Sequence, residues 1–220
     1  MARTERPLVM AGTATFPRPA EHGIGWPQFV IKRVVGAIRR RWAEAAARRV
    51  ARRDRRDPGR AMGALEAASQ ILILCHGNII RSPYTERVMA RALGAATGVT
   101  IRSAGLHAVE GTLSPVAPVL AADAFQVDLR GHSASVVTPD AVAAADVIFV
   151  MDVPQLAAMH RRFAAARHKT FLLSCLAPDT PLEVRDPVMG GQAICQNCFD
   201  HINRAVRPLI DALSDRTQHP

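Results

Sequence analysis

From residue 70 onward, short aliphatic runs alternate with stretches of helical spacing. Residues 71–74, 99–101, 147–150 and 170–173 read as buried strands. Residues 82–93 stopped by Gly94, then 116–125, 139–145, 154–163 and about 194–213 read as helices. Such alternation implies right-handed crossovers and a four-stranded parallel sheet with helices on both faces, the doubly wound α/β class.

Upstream the pattern changes. Residues 1–25 are rich in Pro, Gly and Thr without an apolar period and read as disordered. After Pro27, an apolar stripe of Val30, Val34, Ile38, Trp42, Ala46 and Val50 recurs every fourth residue, with Lys32, Arg33, Arg39, Arg40, Arg48 and Arg49 on other faces. That spacing predicts a basic amphipathic helix over 26–57, ended by Asp57-Pro58-Gly59. Residues 58–69 then read as a linker, 70–213 as the domain and 214–220 as a tail.

Composition sharpens this picture. With 220 residues, 49% hydrophobic and 21% charged, the chain is expected to be globular and soluble. No run approaches the roughly 20 apolar residues of a membrane span, and no continuous apolar stretch follows the early arginines. A cytoplasmic protein with four reduced cysteines is therefore expected. Residues 1–69 carry 15 Lys+Arg against 6 Asp+Glu, and 70–220 carry 13 of each, so the net charge of +9 belongs to the extension. Three readings of that extension stand side by side: contact of residues 26–57 with an anionic membrane surface or polyanion, a helix packed against the domain, or a stretch preceding a start at Met62. No specific nucleic acid is implied, and oligomeric state is left open.

In doubly wound sheets ligands bind beyond the carboxyl ends of strands, so the turn after Leu74 is the first place to look. It reads Cys75-His76-Gly77-Asn78-Ile79-Ile80-Arg81-Ser82-Pro83, and the next helix is expected to start at Ser82 with Pro83 in its first turn. Amides from His76 to Ser82 can curl around one centre, Gly77 permitting the curvature and the helix N-terminus adding positive partial charge. That is a cradle for a tetrahedral oxyanion. Cys75 at its floor is favoured as thiolate, a nucleophile aimed at phosphorus, and the planar fork of Arg81 suits two equatorial phosphoryl oxygens.

A bare Cys-x5-Arg has little weight in a chain with 26 arginines and four cysteines. With Gly77, Asn78, Ser82 and Pro83 also at fixed offsets, the sequence resembles the low-molecular-weight protein-tyrosine phosphatases. Ser103-Ala104-Gly105-Leu106, Asp128-Leu129-x-Gly131-His132, the stretch from Ala145-Asp146 to Met151-Asp152, and Asp186-Pro187 follow in the family's order. The likeness covers about 70–213 and is nearest the bacterial branch linked to exopolysaccharide tyrosine kinases. It implies a flavodoxin-like fold, no cofactor, no metal and a tyrosine-phosphorylated protein substrate. It further implies that Asp186, on a mobile loop, protonates the leaving phenolate and then activates water against the cysteinyl phosphate. Asn78, Ser82, Ser103 and His132 are assigned by the resemblance to a network that supports the loop, Ser82 also stabilising the thiolate.

The chain departs from the family in two places. Ile80 stands where a second cysteine is usual, so oxidised Cys75 is expected to lack a neighbouring thiol to shelter it. Val188 replaces the tyrosine of Asp-Pro-Tyr, and Tyr84 is the chain's single tyrosine, so weaker selectivity for aryl phosphates is expected. His76 and His107 read as surface groups. Cys195, Cys198 and His201, with Cys175 upstream, have the ligand types of a zinc site. Positions 195, 198, 202, 205 and 209 equally form one apolar helix face. Two alternative functions are a thioredoxin-linked arsenate reductase and a noncatalytic phosphoprotein binder. Such reductases carry redox cysteines after the third strand, where this chain reads Met151-Asp152-Val153-Pro154.

Overall fold

β1 (Gln70–Cys75) buries every residue after Gln70, because a central parallel strand carries helices on both faces and has no solvent side. In the computed structural model, which describes residues 26–94 and 97–218, β1 lies inside a four-stranded parallel sheet ordered β2-β1-β3-β4. Its partners are β2 (Thr100–Gly105), β3 (Val147–Val150) and β4 (Thr170–Leu172). This is the flavodoxin-like arrangement expected from the sequence. Winding reverses between β1 and β3, which opens a crevice beyond their carboxyl ends.

Alternate residues of the strands feed two cores. Ile71, Ile73, Phe149 and Phe171 pack under α3 (Arg81–Leu93), α4 (Val116–Asp123) and α7 (Gln192–Gln218). Leu72, Leu74, Ile148 and Val150 pack under α5 (Pro139–Ala144) and α6 (Val153–Arg162). β2 runs on to Gly105, beyond the expected 99–101, because an edge strand tolerates the polar Arg102 and Ser103 that interrupt its aliphatic pattern. α7 extends to Gln218 with Pro208 inside it, so most of the expected tail is helical. The expected disorder of residues 1–25 lies outside the described residues.

The extension differs most from expectation. Residues 58–69 are not a linker: they hold α2 (Gly59–Glu66), whose Ala61 and Leu65 are buried with Ala68 beside α7. Pro58 and Gly59 begin this helix as well as ending the one before, and eight residues are too few to show a clear period. The chain divides into units 1–38 and 39–220, a boundary inside α1 (Trp26–Arg56). Within the first unit Val30, Ile31, Val34, Val35 and Ile38 are exposed. Within the second, Trp42 is exposed and the buried face is Ala47, Ala51 and Asp54, packed with Leu72, Leu74 and α6. Within the second unit, the docking face is therefore not the Trp42 and Ala46 stripe read from the sequence. Small alanines four apart let the backbone approach closely. Arg55 adds hydrogen bonds to the carbonyls of Ser174, Ala177 and Thr180 at 2.7, 3.0 and 2.8 Å. Both Asp54 oxygens accept from Arg60 at 2.7 Å.

If α2 belongs to the core, Leu65→Ala should cost about 2–5 kcal/mol, as buried leucine truncations do. Urea denaturation measures this, and a loss within about 0.5 kcal/mol, typical of a surface position, would return the segment to linker status.

Candidate active site

The turn from β1 to α3 is organised by Asn78. Its backbone sits in the left-handed region with φ 53°, a conformation asparagine tolerates better than most residues. The tight curvature expected of Gly77 is thus delivered one residue later; a Cβ on Gly77 would meet only Ile79, at an ordinary 3.5 Å. Every polar group of Asn78 has a partner. Its N–H donates to Cys75 Sγ at 3.2 Å, and Nδ2 donates to Ser82 Oγ and Ser103 Oγ, each at 2.9 Å. Oδ1 accepts from the Ser135 N–H at 2.8 Å, and the carbonyl lies 2.6 Å from His132 Nε2. A carbonyl can only accept, so Nε2 of His132 carries the proton.

This network fixes the direction of a hydroxyl. Ser82 Oγ already accepts from Asn78, so its own O–H is directed at Cys75 Sγ, 3.0 Å away. α3 starts at Arg81, one residue before the expected Ser82; Ile80 occupies the N-cap without a side-chain bond, and Ser82 serves the sulfur. Ser103 in turn donates to Glu86 Oε2. Gly105, opposite Cys75 in the sheet register, has a steric role: a Cβ there would lie 2.7 Å from Ala108 and 2.9 Å from the His76 carbonyl. Only glycine lets β2 approach this turn.

Arg81 is 2% exposed and held from the β3 side of the crevice. Nη1 donates to Asp152 Oδ2 and to the Val184 carbonyl, both at 3.0 Å, and Nη2 pairs with Asp186 Oδ2. Asp152 was quoted in the sequence pattern without a role. It caps α6 by accepting from Gln155 N–H at 2.9 Å, and Gln155 Nε2 donates to the same oxygen that holds Arg81. Burial pushes the Asp152 carboxyl above the usual carboxylate range, against the opposing pull of the Gln155 amide and Arg81. Asp186 is steadied through Oδ1 by the Val188 N–H at 3.1 Å.

Cys75, Ile79, Arg81, Asp186 and Val188 line a cleft of about 70 Å³, several times the space one water needs. His76, Gly77 and Ile80 complete it. A larger cavity of about 390 Å³ lies by Gln70, Arg102 and Asp140, at the wrong end of the strands for a ligand in this fold. Tyr84 cannot flank a substrate: it is fully buried, stacked at 3.8 Å on Phe199, and burial raises its hydroxyl to about 12. Cys195 and Cys198 turn into the α7 core, and His201 contacts the Pro181 carbonyl at 3.1 Å. Burial raises the Cys175 and Cys198 thiols to about 12, so neither is a ready nucleophile. Among the described residues no helix is long and apolar enough to cross a membrane.

Comparison with known proteins gives this arrangement a family. A sequence model described as low molecular weight phosphotyrosine protein phosphatase matches residues 70–219. The Escherichia coli K12 protein named low molecular weight protein-tyrosine-phosphatase Etp is 30% identical over 149 residues, covering 66% of this chain and 95% of that one. The crystal structure of the Erwinia amylovora tyrosine phosphatase AmsI is 29% identical with TM-score 0.61, covering 67% and 94%. The YwlE arginine phosphatase from Geobacillus stearothermophilus is 25% identical with TM-score 0.59, covering 68% and 93%. From residue 70 to the end of α7, the chain belongs to the low-molecular-weight protein-tyrosine-phosphatase family.

Proposed function

We propose that this protein hydrolyses phosphotyrosine on a protein substrate through a phosphocysteine intermediate, opposing a tyrosine kinase. The observation that carries the reading is the pair of donors on Cys75 Sγ, from Asn78 and Ser82, at the floor of a cleft rimmed by Arg81 and Asp186. Two donors on one sulfur stabilise a thiolate. The thiolate attacks phosphorus, an S–P bond forms and the P–O bond to the aryl group breaks. Asp186 gives its proton to the departing phenolate oxygen. The resulting carboxylate then takes a proton from water as that water attacks the cysteinyl phosphate, releasing inorganic phosphate and the thiolate.

Arg81 serves the equatorial oxygens, which carry the charge through both transfers. A phosphoryl dianion competes with Asp186 for Nη2 of Arg81, so substrate entry frees that carboxyl to meet the leaving group. Ile79 and Val188 give the mouth apolar walls. Those walls suit an aryl ring better than a phosphoarginine, whose guanidinium needs polar partners. Asp152 acts through Arg81 as a positioning residue.

A second contact is proposed for the first unit. Val30, Ile31, Val34, Val35 and Ile38 expose one apolar arc of α1, with Lys32 on the polar side. An exposed arc on a basic helix fits the interface of an anionic membrane.

Cys75→Ser should abolish phosphate release from an aryl phosphate. Asp186→Ala should lower the rate about 10²-fold to 10⁴-fold, more for poor leaving groups than for good ones; equal losses across leaving groups would remove it as the acid. Asp152→Asn should reduce kcat by up to about 10²-fold through misplacement of Arg81 and weaken inhibition by inorganic phosphate. An unchanged inhibition constant would count against that role. In sedimentation with phosphatidylserine vesicles, the protein should pellet at low salt and Ile38→Glu should stay in solution; no pelleting refutes the membrane contact.

A further inference from the structure

We infer that the cavity beside the phosphate loop is a subsite for a second anionic group on the phosphoprotein, and that α1 supplies part of it. This rests on the phosphatase reading above. A cavity of about 280 Å³ shares His76, Arg81 and Asp186 with the catalytic cleft and continues beneath Arg40 and Glu44 of α1 and Arg161 of α6. Within it Arg81 is already committed to Asp152 and Asp186. Arg40 and Arg161 are different: among the described residues neither has an ion-pair partner. Glu44 is the one carboxylate of the lining outside the Arg81 clamp.

Two imidazoles complete this wall. His76 and His107 lie with ring centroids 4.8 Å apart on the same wall. Burial, then His76, then Arg162 lower the His107 titration, so the positive charge of the wall rests on Arg40 and Arg161. The mouth of the site is thereby two-sided, apolar at Ile79 and Val188 and basic at Arg40 and Arg161. A phosphotyrosine segment lying across it places its ring on the first side and a neighbouring residue on the second. The chemistry that satisfies two unpaired guanidinium groups in a concave wall is a carboxylate or a second phosphate. Arg40 and Glu44 lie outside residues 70–219, which match the family, so the α1 part of this wall is an addition of the chain's own.

The test uses the full chain and three phosphotyrosine peptides that differ only beside the phosphotyrosine: neutral residues, Asp/Glu, or a second phosphotyrosine. Para-nitrophenyl phosphate is the small control. Wild type should favour at least one anionic peptide over the neutral one by about threefold to tenfold in kcat/KM, mainly through KM, at low salt. Which peptide wins identifies carboxylate or phosphate as the source. Arg40→Ala and Arg161→Ala should each erase most of that preference and Arg40→Glu should invert it, with para-nitrophenyl phosphate kinetics unchanged. Equal rates on all three peptides in wild type, or proportional losses on every substrate including the small one, overturn the subsite. Para-nitrophenyl phosphate activity that survives Cys75→Ser would instead overturn the phosphatase reading.

Discussion

A single asparagine in a left-handed conformation holds together the end of β1, the start of α3, the end of β2 and the loop carrying His132 and Ser135. Such a backbone costs on the order of 1–3 kcal/mol and persists only where its surroundings over-determine it. Here they do, because every polar atom of Asn78 is engaged, and the partners come from four separate pieces of the chain. The consequence reaches the sulfur. Asn78 both donates to Cys75 and forces the Ser82 hydroxyl to do so, which organises the charge environment before a substrate arrives. The strain is lodged in the folded state and need not be supplied during reaction.

The second constraint is the burial of Arg81. A guanidinium with almost no solvent must have anions or carbonyls around it. The chain provides three, from the segments after β3 and before α7. Two of these contacts are permanent in character: Asp152 is tied into the cap of α6, and the Val184 carbonyl belongs to a segment whose N–H is bonded to Met151 at 2.8 Å. Asp186 is the half-exposed member, the one a phosphoryl group can displace without unpacking the core. The same ion pair that satisfies Arg81 thus keeps the proposed acid close to where it is needed.

The parts of this molecule legible in the sequence are those where one chemical type repeats. β1 from Ile71 to Leu74 and β3 from Val147 to Val150 are apolar without a break because both faces are covered, and the turn after β1 carries Gly, Asn, Arg and Ser at offsets that few other structures require. The parts that were hidden have mixed or small residues. Arg102 and Ser103 masked the length of β2. Two buried residues in α2, Ala61 and Leu65, were too few to show a period. Alanines 47 and 51 were outweighed by the larger stripe beside them, although close packing favours the smaller side chain. Asp152 and Gly105 lay in plain view within longer patterns. What gives each its role, a guanidinium from another strand's turn and a backbone carbonyl 2.9 Å from where a Cβ would stand, is a tertiary relation that no local pattern carries.

A fold of this kind permits variation only where the loop chemistry is not disturbed. Cys75, Asn78 and Ser82 are locked by mutual hydrogen bonds, so a change at any of them propagates to the sulfur, and Arg81 is locked separately by Asp152, Val184 and Asp186. The rim is not locked: Val188 is exposed and hydrogen-bonds to the site through its backbone N–H, and among the described residues Arg40 and Arg161 have no ion-pair partner. A helix added ahead of the domain meets this freedom. By docking through Ala47 and Ala51 it leaves the sheet intact, and within the two turns before Ala47 it brings Arg40 and Glu44 to the mouth. Recognition can therefore be rebuilt from outside the family's own segment while the phosphoryl chemistry stays where β1 ends.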